Sequence, residues 1–351
     1  MAGLLTALLA GPGHAVEVKR FPAPAGEKSV LRLHAATDLD AMEPLIRDFQ
    51  VLSPHISIEY AEYQSVDLYA QAQADCRAKR ATMDVILSSS VDQLTKLVND
   101  GCALPIRSPH TVRLPAWTRW RNEIFGFTFE PAVIVYNSDL VPAADVRRTR
   151  AELIDLLRSQ PERYTGRIGT YDIEQSGIGY LFAIYDAQST TVYGRLMETL
   201  VRTQVATACC TADLVAALSA GRLSIGYNLL GSYAMAAVRR GAHLGIVIPR
   251  DFTVVLSRAA FVPAHAKNRI EASGFIEYLL SPRGQQKARE ASFFFSFDGP
   301  LPENVDGPPA LTSSTLLRPI EIGPELLAVQ DRAKRERFLG EWRRSMKAIP
   351  P

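Results

Sequence analysis

The 351-residue sequence lacks the short motifs that mark several common classes of enzyme and cofactor-binding protein. It contains no Walker A sequence, no HExxH, no GxSxG and no CxxC pair. Its six histidines are scattered and do not accompany a candidate serine or cysteine nucleophile. We therefore expect a protein that is not an enzyme and that carries no metal and no cofactor.

An excess of charge of one sign is also missing, since the formal net charge is only +2. A protein that binds phosphate backbones usually carries a basic excess, so nucleic acid is not expected as a partner. No apolar run is long enough to span a bilayer. The hydrophobic fraction of 47% is typical of a folded globular protein, and 351 residues are enough for two domains.

The first fifteen residues carry the only targeting signal. Leu4, Leu5, Leu8 and Leu9 contribute to a short apolar stretch that ends in Gly13-His14-Ala15, a small-x-small cleavage pattern. We interpret residues 1–15 as a signal peptide, which predicts an exported protein. A basic segment before the apolar stretch is missing, so an ordinary apolar N-terminus or a start codon placed too far downstream stays open.

Cysteine is scarce, with four residues at positions 76, 102, 209 and 210. Cys76 and Cys102 fall in the same predicted domain, so an exported protein could bridge them. Cys209 and Cys210 are adjacent and permit only a vicinal bridge. Four unpaired thiols are the alternative, and the spacings fit no common zinc site.

The N-terminal third predicts strands alternating with helices. Apolar runs predict strands over 30–35, 56–60 and 84–87, and helices are predicted over 38–52, 65–79 and 91–99. Met42, Leu45, Ile46 and Phe49 recur at the helical period, and Gly101 ends the third helix. This order with short connections indicates a parallel sheet with crossover helices.

The middle of the chain predicts a second α/β unit, with strands over 167–171, 223–227 and 244–248 between helices. The aromatic-rich run 125–136 would carry the chain to this unit, and strands over 252–256 and 259–262 would lead it back. Helices over 270–280 and 283–290 follow. A charged amphipathic helix over 324–346 is expected to cover the first unit.

Four features resemble a known family. They are the strand-Thr37-Asp38-helix start, the run Met83-Asp-Val-Ile-Leu-Ser-Ser-Ser90, the run Ile134-Val-Tyr-Asn137, and a helix followed by Ser281-Pro-Arg-Gly-Gln. Together they are similar to type II periplasmic solute-binding proteins of ABC transporters, in the branch that includes ferric-ion and phosphorylated-sugar binders.

The resemblance implies an α/β, two-lobe periplasmic-binding-protein-like fold of type II, with mixed sheets, flanking helices and a hinged interlobe cleft. Lobe 1 would comprise residues 30–130 plus 262–351, and lobe 2 residues 137–252. Residues 125–137 and 252–262 would be the hinge crossover strands.

Ligands in open α/β sheets collect at the carboxyl ends of strands, near helix N-termini. On this basis the candidate ligand-binding residues are Thr37, Asp38, Ser88, Ser89, Ser90, Glu130, Tyr171, Gln175, Ser176, Gly177, Tyr227, Asn228, Ser232 and Tyr233. Plain helix capping is the alternative role for the residues that open helices, such as Thr37, Asp38 and the three serines.

The resemblance implies a periplasmic, monomeric receptor that closes on a small-molecule ligand and partners a membrane ABC permease. We expect an oxyanion ligand, such as a phosphorylated sugar, an organic phosphate or a carboxylate. Ferric ion is the alternative, although Tyr227 and Tyr233 are not the neighbouring tyrosine pair of the ferric-ion branch. A second alternative is a ligand-sensing partner of a membrane sensor kinase.

Overall fold

The structure is a computed structural model that describes residues 17–291, 301, 305–308 and 316–347. The predicted signal peptide, residues 1–15, lies outside the described residues. The strands are β1 Glu17–Phe21, β2 Ser29–Ala36, β3 Ile56–Glu62, β4 Val85–Ser88, β5 Arg119–Trp120, β6 Ile124–Gly126, β7 Glu130–Asn137, β8 Ile168–Tyr171, β9 Ala206–Ala208, β10 Ile225–Leu230, β11 Leu244–Val247, β12 Thr253–Leu256, β13 Ala259–Phe261, β14 Val305–Asp306 and β15 Leu317–Pro319.

The helices flank these strands in chain order. They are α1 Leu39–Leu52, α2 Ser65–Arg77, α3 Val91–Asn99, α4 Pro109–Arg113, α5 Arg150–Ser159, α6 Pro161–Tyr164, α7 Gly177–Ser189, α8 Tyr193–Arg202, α9 Thr211–Ser219, α10 Gly231–Arg239, α11 Arg269–Leu280, α12 Pro282–Ala291, α13 Glu325–Val329 and α14 Arg332–Lys347.

Two mixed sheets organise the described residues into two lobes. The first sheet has the strand order β1-β3-β2-β4-β13-β6-β5, with β3, β2 and β4 parallel and β1 and β13 antiparallel to their neighbours. The second has the order β14-β11-β7-β10-β8-β9, with β12 joining β7 to β15. The predicted α/β class with mixed sheets and flanking helices is confirmed.

Local sequence patterns account for the helices of lobe 1. Met42, Leu45, Ile46 and Phe49 all lie on the buried side of α1, as the helical period predicts. Helix α3 spans the predicted residues 91–99 and is followed by Gly101, whose φ of +78° is a left-handed conformation that favours glycine.

The chain crosses between the lobes at two adjacent points, after β6 and after β12. The two crossing segments are hydrogen-bonded to each other. Phe127 N donates to Arg258 O over 2.9 Å, and Arg258 N donates to Thr128 Oγ1 over 2.8 Å. Because both crossings lie side by side, they form the short hinge that the resemblance implies.

The C-terminal segment differs from its prediction, because it contacts both lobes. Strand β14 pairs with β11 of lobe 2, and α14 packs against α8 of the same lobe, whereas α13 packs against α3 of lobe 1. The predicted single helix over 324–346 is interrupted after Val329. Asp331 accepts a hydrogen bond from Lys334 N over 3.0 Å and thereby caps a new helix, α14.

Asp92 lies where this segment meets lobe 1. Its side chain, in the first turn of α3, is fully buried and accepts a hydrogen bond from Gln330. Burial raises the pKa of the Asp92 carboxyl from 3.8 to about 6, although the hydrogen bond from Gln330 opposes this shift. The folded protein therefore holds this proton more tightly than the unfolded chain does.

We expect Asp92→Asn to raise the free energy of unfolding at pH 7 by up to about 3 kcal/mol, since two pKa units correspond to that energy. The Asp92 contribution to stability is complete below about pH 4 and is lost as the pH rises through about 6. Urea unfolding between pH 4 and 8 tests this. The control is Asp155→Asn on the exposed face of α5. Equal stability of wild type and Asp92→Asn at pH 7 would contradict the expectation.

Among the described residues, the helices are too short or too polar to cross a membrane.

Candidate functional site

A cavity of about 950 Å³ lies between the two lobes. Both lobes and the hinge contribute to its walls, so it is the interlobe cleft that the fold implies. Its lining consists of Ala36, Thr37, Asp38, Glu62, Tyr63, Gln64, Ser65, Asp67, Ala70, Gln71, Ser89, Gln175, Ser176, Ile178, Cys209, Cys210, Thr211, Ala212, Asp213, Leu230, Tyr233 and Arg258.

The cavity lies at the carboxyl ends of strands in both sheets. In lobe 1, the segments that follow β2, β3 and β4 lead into α1, α2 and α3. In lobe 2, the segments that follow β8, β9 and β10 lead into α7, α9 and α10. Because strand ends and helix N-termini of both lobes meet here, small polar side chains converge on one space.

Arg258 forms the polar centre of the hinge side of the cavity. It is 1% exposed, and its Nε donates to Glu130 Oε1 over 2.7 Å. Its Nη1 donates to Thr37 Oγ1 of lobe 1 over 2.8 Å, while Ser232 of lobe 2 donates to Glu130 Oε2 over 2.6 Å. Thr128 adds a fourth contact, from its hydroxyl to Glu130. One buried ion pair thus joins both lobes to the crossing segments.

Burial and charge oppose each other at this ion pair. Burial alone would lower the pKa of Arg258, but the adjacent Glu130 carboxylate and Tyr233 raise it above the usual value. The Arg258 guanidinium also lies over the ring of Tyr233, 5.4 Å from its centroid. Burial likewise raises the pKa of the Tyr233 hydroxyl, so this phenol keeps its proton.

Two direct contacts link the lobes across the cavity. The Tyr233 hydroxyl of lobe 2 donates a hydrogen bond to the carboxylate of Asp38 in lobe 1. Gly177 N, at the start of α7, donates to Ser65 Oγ of lobe 1 over 3.1 Å. Because both bonds connect groups from different lobes, the structure represents a closed cleft.

Two disulfides are present among the described residues. Cys76–Cys102 joins α2 to the segment after α3, with the Cα atoms 5.5 Å apart. Cys209–Cys210 is a vicinal disulfide in the cavity wall, directly before α9. Asp213 lies close to Cys209, with an Sγ–Oδ2 distance of 3.6 Å. Since both sulfurs are bonded to each other, neither is a thiolate ligand for a metal here.

Six of the predicted ligand-binding residues line the cavity. They are Thr37, Asp38, Ser89, Gln175, Ser176 and Tyr233. Ser176 is also the N-cap of α7, because its hydroxyl accepts a hydrogen bond from Gly179 N over 3.1 Å. Capping and exposure to the cavity, which the sequence presents as alternatives, thus occur together in one residue.

The other predicted residues lie outside the lining and have partners elsewhere. They are Ser88, Ser90, Glu130, Tyr171, Gly177, Tyr227, Asn228 and Ser232. Glu130 and Ser232 hold Arg258 in place, as described above. The Ser88 hydroxyl accepts the Ser90 amide over 3.0 Å, and the Tyr171 hydroxyl pairs with Thr211 at 2.6 Å.

Tyr227 and Asn228 belong to a buried network inside lobe 2. Arg150 and Asp186, both almost completely buried, form an ion pair of 2.8 Å. Tyr227 donates to Asp186 over 2.6 Å and accepts from Arg150 over 2.7 Å, while Asn228 donates to Asp186 over 2.8 Å. Tyr227 therefore faces the interior of the lobe, and only Tyr233 of the two tyrosines faces the cavity.

Sequence reasoning missed most of the remaining lining, including Arg258, Tyr63, Ser65 and the pair Cys209–Cys210. Arg258 carried one usable signal, because it is the only charged residue in the otherwise apolar run 252–262. Arg119, Arg121 and Arg167 had been the arginines considered, and none of them lines the cavity. The segment that includes Tyr63 and Ser65 follows a strand and opens a helix, which is the same signal used for Thr37.

The family follows from comparison with known proteins. The family described as "Bacterial extracellular solute-binding protein" matches residues 45–312. The chain belongs to this family. A crystal structure of the substrate-binding protein of an ABC transporter from Agrobacterium tumefaciens is 30% identical to this solute-binding protein. It superposes with a TM-score of 0.87, covering 96% of this chain and 100% of the other.

More distant structures share the fold of this solute-binding protein. The periplasmic binding protein AfuA from Actinobacillus pleuropneumoniae, with fructose-6-phosphate bound, is 15% identical, with a TM-score of 0.74 over 92% of this chain and 100% of the other. Iron-bound HitA from Pseudomonas aeruginosa is 17% identical, with a TM-score of 0.65 over 89% and 99%. A search of curated proteins gave no match. The type II periplasmic-binding-protein fold is thereby confirmed.

Proposed function

We propose that this protein is the exported, monomeric receptor of an ABC importer, which closes its two lobes on one small solute and delivers that solute to a membrane permease. The observation that carries the proposal is the cavity of about 950 Å³ enclosed by both lobes and bridged by contacts between them. A volume of this size suits a small organic molecule. The 30% identical relative, which is the substrate-binding protein of an ABC transporter, supports the permease as partner.

Binding without reaction is the second part of the proposal. The described cavity lining contains several hydroxyls but no histidine that could activate one of them as a nucleophile. The polar groups instead bridge the lobes or hold the hinge. An arrangement of this kind suits recognition and closure rather than bond cleavage.

A thermal-shift screen of the protein from Val16 onward tests the receptor function. The screen contains sugar phosphates, di- and tricarboxylates, phosphate, ferric citrate, amines and amino acids. A solute at a hundred times its dissociation constant adds about 2.7 kcal/mol to the free energy of unfolding and raises the melting temperature.

Small-angle X-ray scattering with and without the stabilising solute then tests lobe closure. We expect the radius of gyration to decrease on binding, because a ligand that contacts both lobes favours the closed state. Release of a chemically altered product would contradict binding without reaction. Stabilisation without any change in the radius of gyration would contradict the closure mechanism.

A further inference from the structure

We propose that the cleft selects a small organic cation, such as an amine, a guanidinium compound or a quaternary ammonium compound. This inference rests on the proposed receptor function, because it concerns the ligand of the same cavity. It departs from the oxyanion that the sequence suggests. The described cavity, enclosed by both lobes, defines the site, and its charges and occupied donors define the ligand class.

The charged side chains of the lining are mostly acidic. Four carboxylates, from Asp38, Glu62, Asp67 and Asp213, face one guanidinium, that of Arg258. Arg258 is itself compensated by Glu130, which is fully buried at 2.7 Å and lies behind the lining. The ion pair is close to neutral as a unit, so the cavity keeps a negative potential that attracts cations.

The donors that would hold an oxyanion at helix N-termini are engaged within the protein. Leu39 N at the start of α1 donates to Glu62 Oε2 over 2.8 Å, and Gly177 N at the start of α7 donates to Ser65. The Ser90 amide before α3 donates to Ser88. An entering oxyanion would have to compete with these bonds while approaching the four carboxylates. A cation would meet acceptors without breaking them.

The walls between the carboxylates suit the remainder of such a cation. Tyr63 and Tyr233 line the cavity and offer aromatic rings to a cationic group. The Cys209–Cys210 disulfide and Ile178 present surface without strong hydrogen-bond donors, against which methylene or methyl groups pack. The cavity thus combines negative charge, aromatic rings and apolar patches.

Isothermal titration with defined probes tests the charge preference. The cationic probes are putrescine, choline and arginine, and the anionic probes are glucose 6-phosphate, citrate and inorganic phosphate. Each is measured at 20 and 200 mM sodium chloride. We expect at least one cation to bind, with lower affinity at the higher salt concentration because salt screens the carboxylates, and we expect no anion to bind.

Matched variants connect this preference to the cavity. The double variant Asp67→Asn/Asp213→Asn removes two exposed carboxylates from the first turns of α2 and α9. We expect it to weaken the binding of that cation about tenfold. Asp155→Asn, outside the lining on α5, should leave the affinity unchanged. Melting temperatures of all variants show whether each remains folded.

The outcomes separate this inference from the receptor function. Binding of an anion, or of a neutral solute in the thermal screen, together with no cation binding, would overturn the cation inference and keep the receptor function. Equal cation affinity of wild type and the double variant would also overturn it. If nothing binds, either among the probes or from a small-molecule extract analysed by native mass spectrometry, both proposals fail.

Discussion

Glu130→Ala is expected to lower the free energy of unfolding by about 3–5 kcal/mol, because it leaves the Arg258 guanidinium buried without its carboxylate. Glu130 is 0% exposed, and the ion pair lies at 2.7 Å in the hinge. Water cannot replace the lost partner without opening the hinge. The substitution also removes the acceptor of the Ser232 hydroxyl, which leaves a second polar group unsatisfied.

Urea denaturation of wild type and variants measures this effect. Ser232→Ala serves as the control, since it removes one hydrogen bond while the ion pair stays, and we expect it to cost about 1 kcal/mol. The double variant Glu130→Ala/Arg258→Met removes both charges and should recover part of the loss. A loss below 1 kcal/mol for Glu130→Ala would show that the pair does not depend on its burial.

Gly177→Val is expected to weaken solute binding by about 5- to 150-fold, which corresponds to an overpacking cost of about 1–3 kcal/mol in the closed state. A Cβ at Gly177 would lie 2.3 Å from Ser90 Oγ, 2.7 Å from Ser65 Oγ and 3.1 Å from Gln93 Nε2. All three atoms belong to lobe 1, whereas Gly177 belongs to lobe 2. The clash therefore arises only when the lobes close.

The affinity for the solute found in the thermal screen tests this expectation. The radius of gyration with that solute present should stay near the ligand-free value in the variant. Gly194→Ala on α8 is the matched control, because a Cβ there meets nothing within 4 Å. The stability of the ligand-free protein should change little in either variant. Wild-type affinity of Gly177→Val would show that closure does not require this contact.

The sequence by itself determined most of the secondary structure of this protein. Apolar residues repeat at the helical period in α1, and small or polar residues mark helix starts, as at Ser176. Gly101 ends a helix for a purely local reason, its positive φ. These signals involve neighbouring residues and the backbone between them, so they can be detected without knowing what packs nearby. The order of strands and helices implied two α/β units for the same reason.

Only the tertiary structure decided which residues share the cavity. Tyr227 and Tyr233 are six residues apart, yet one lies inside lobe 2 with Asp186 and the other faces the cleft. Arg258 meets Thr37 only because two crossing segments lie side by side at the hinge. The C-terminal segment contacts both lobes through pairings that no local pattern encodes. Such contacts depend on how distant elements pack against one another, and a sequence pattern with a period of a few residues does not contain that information.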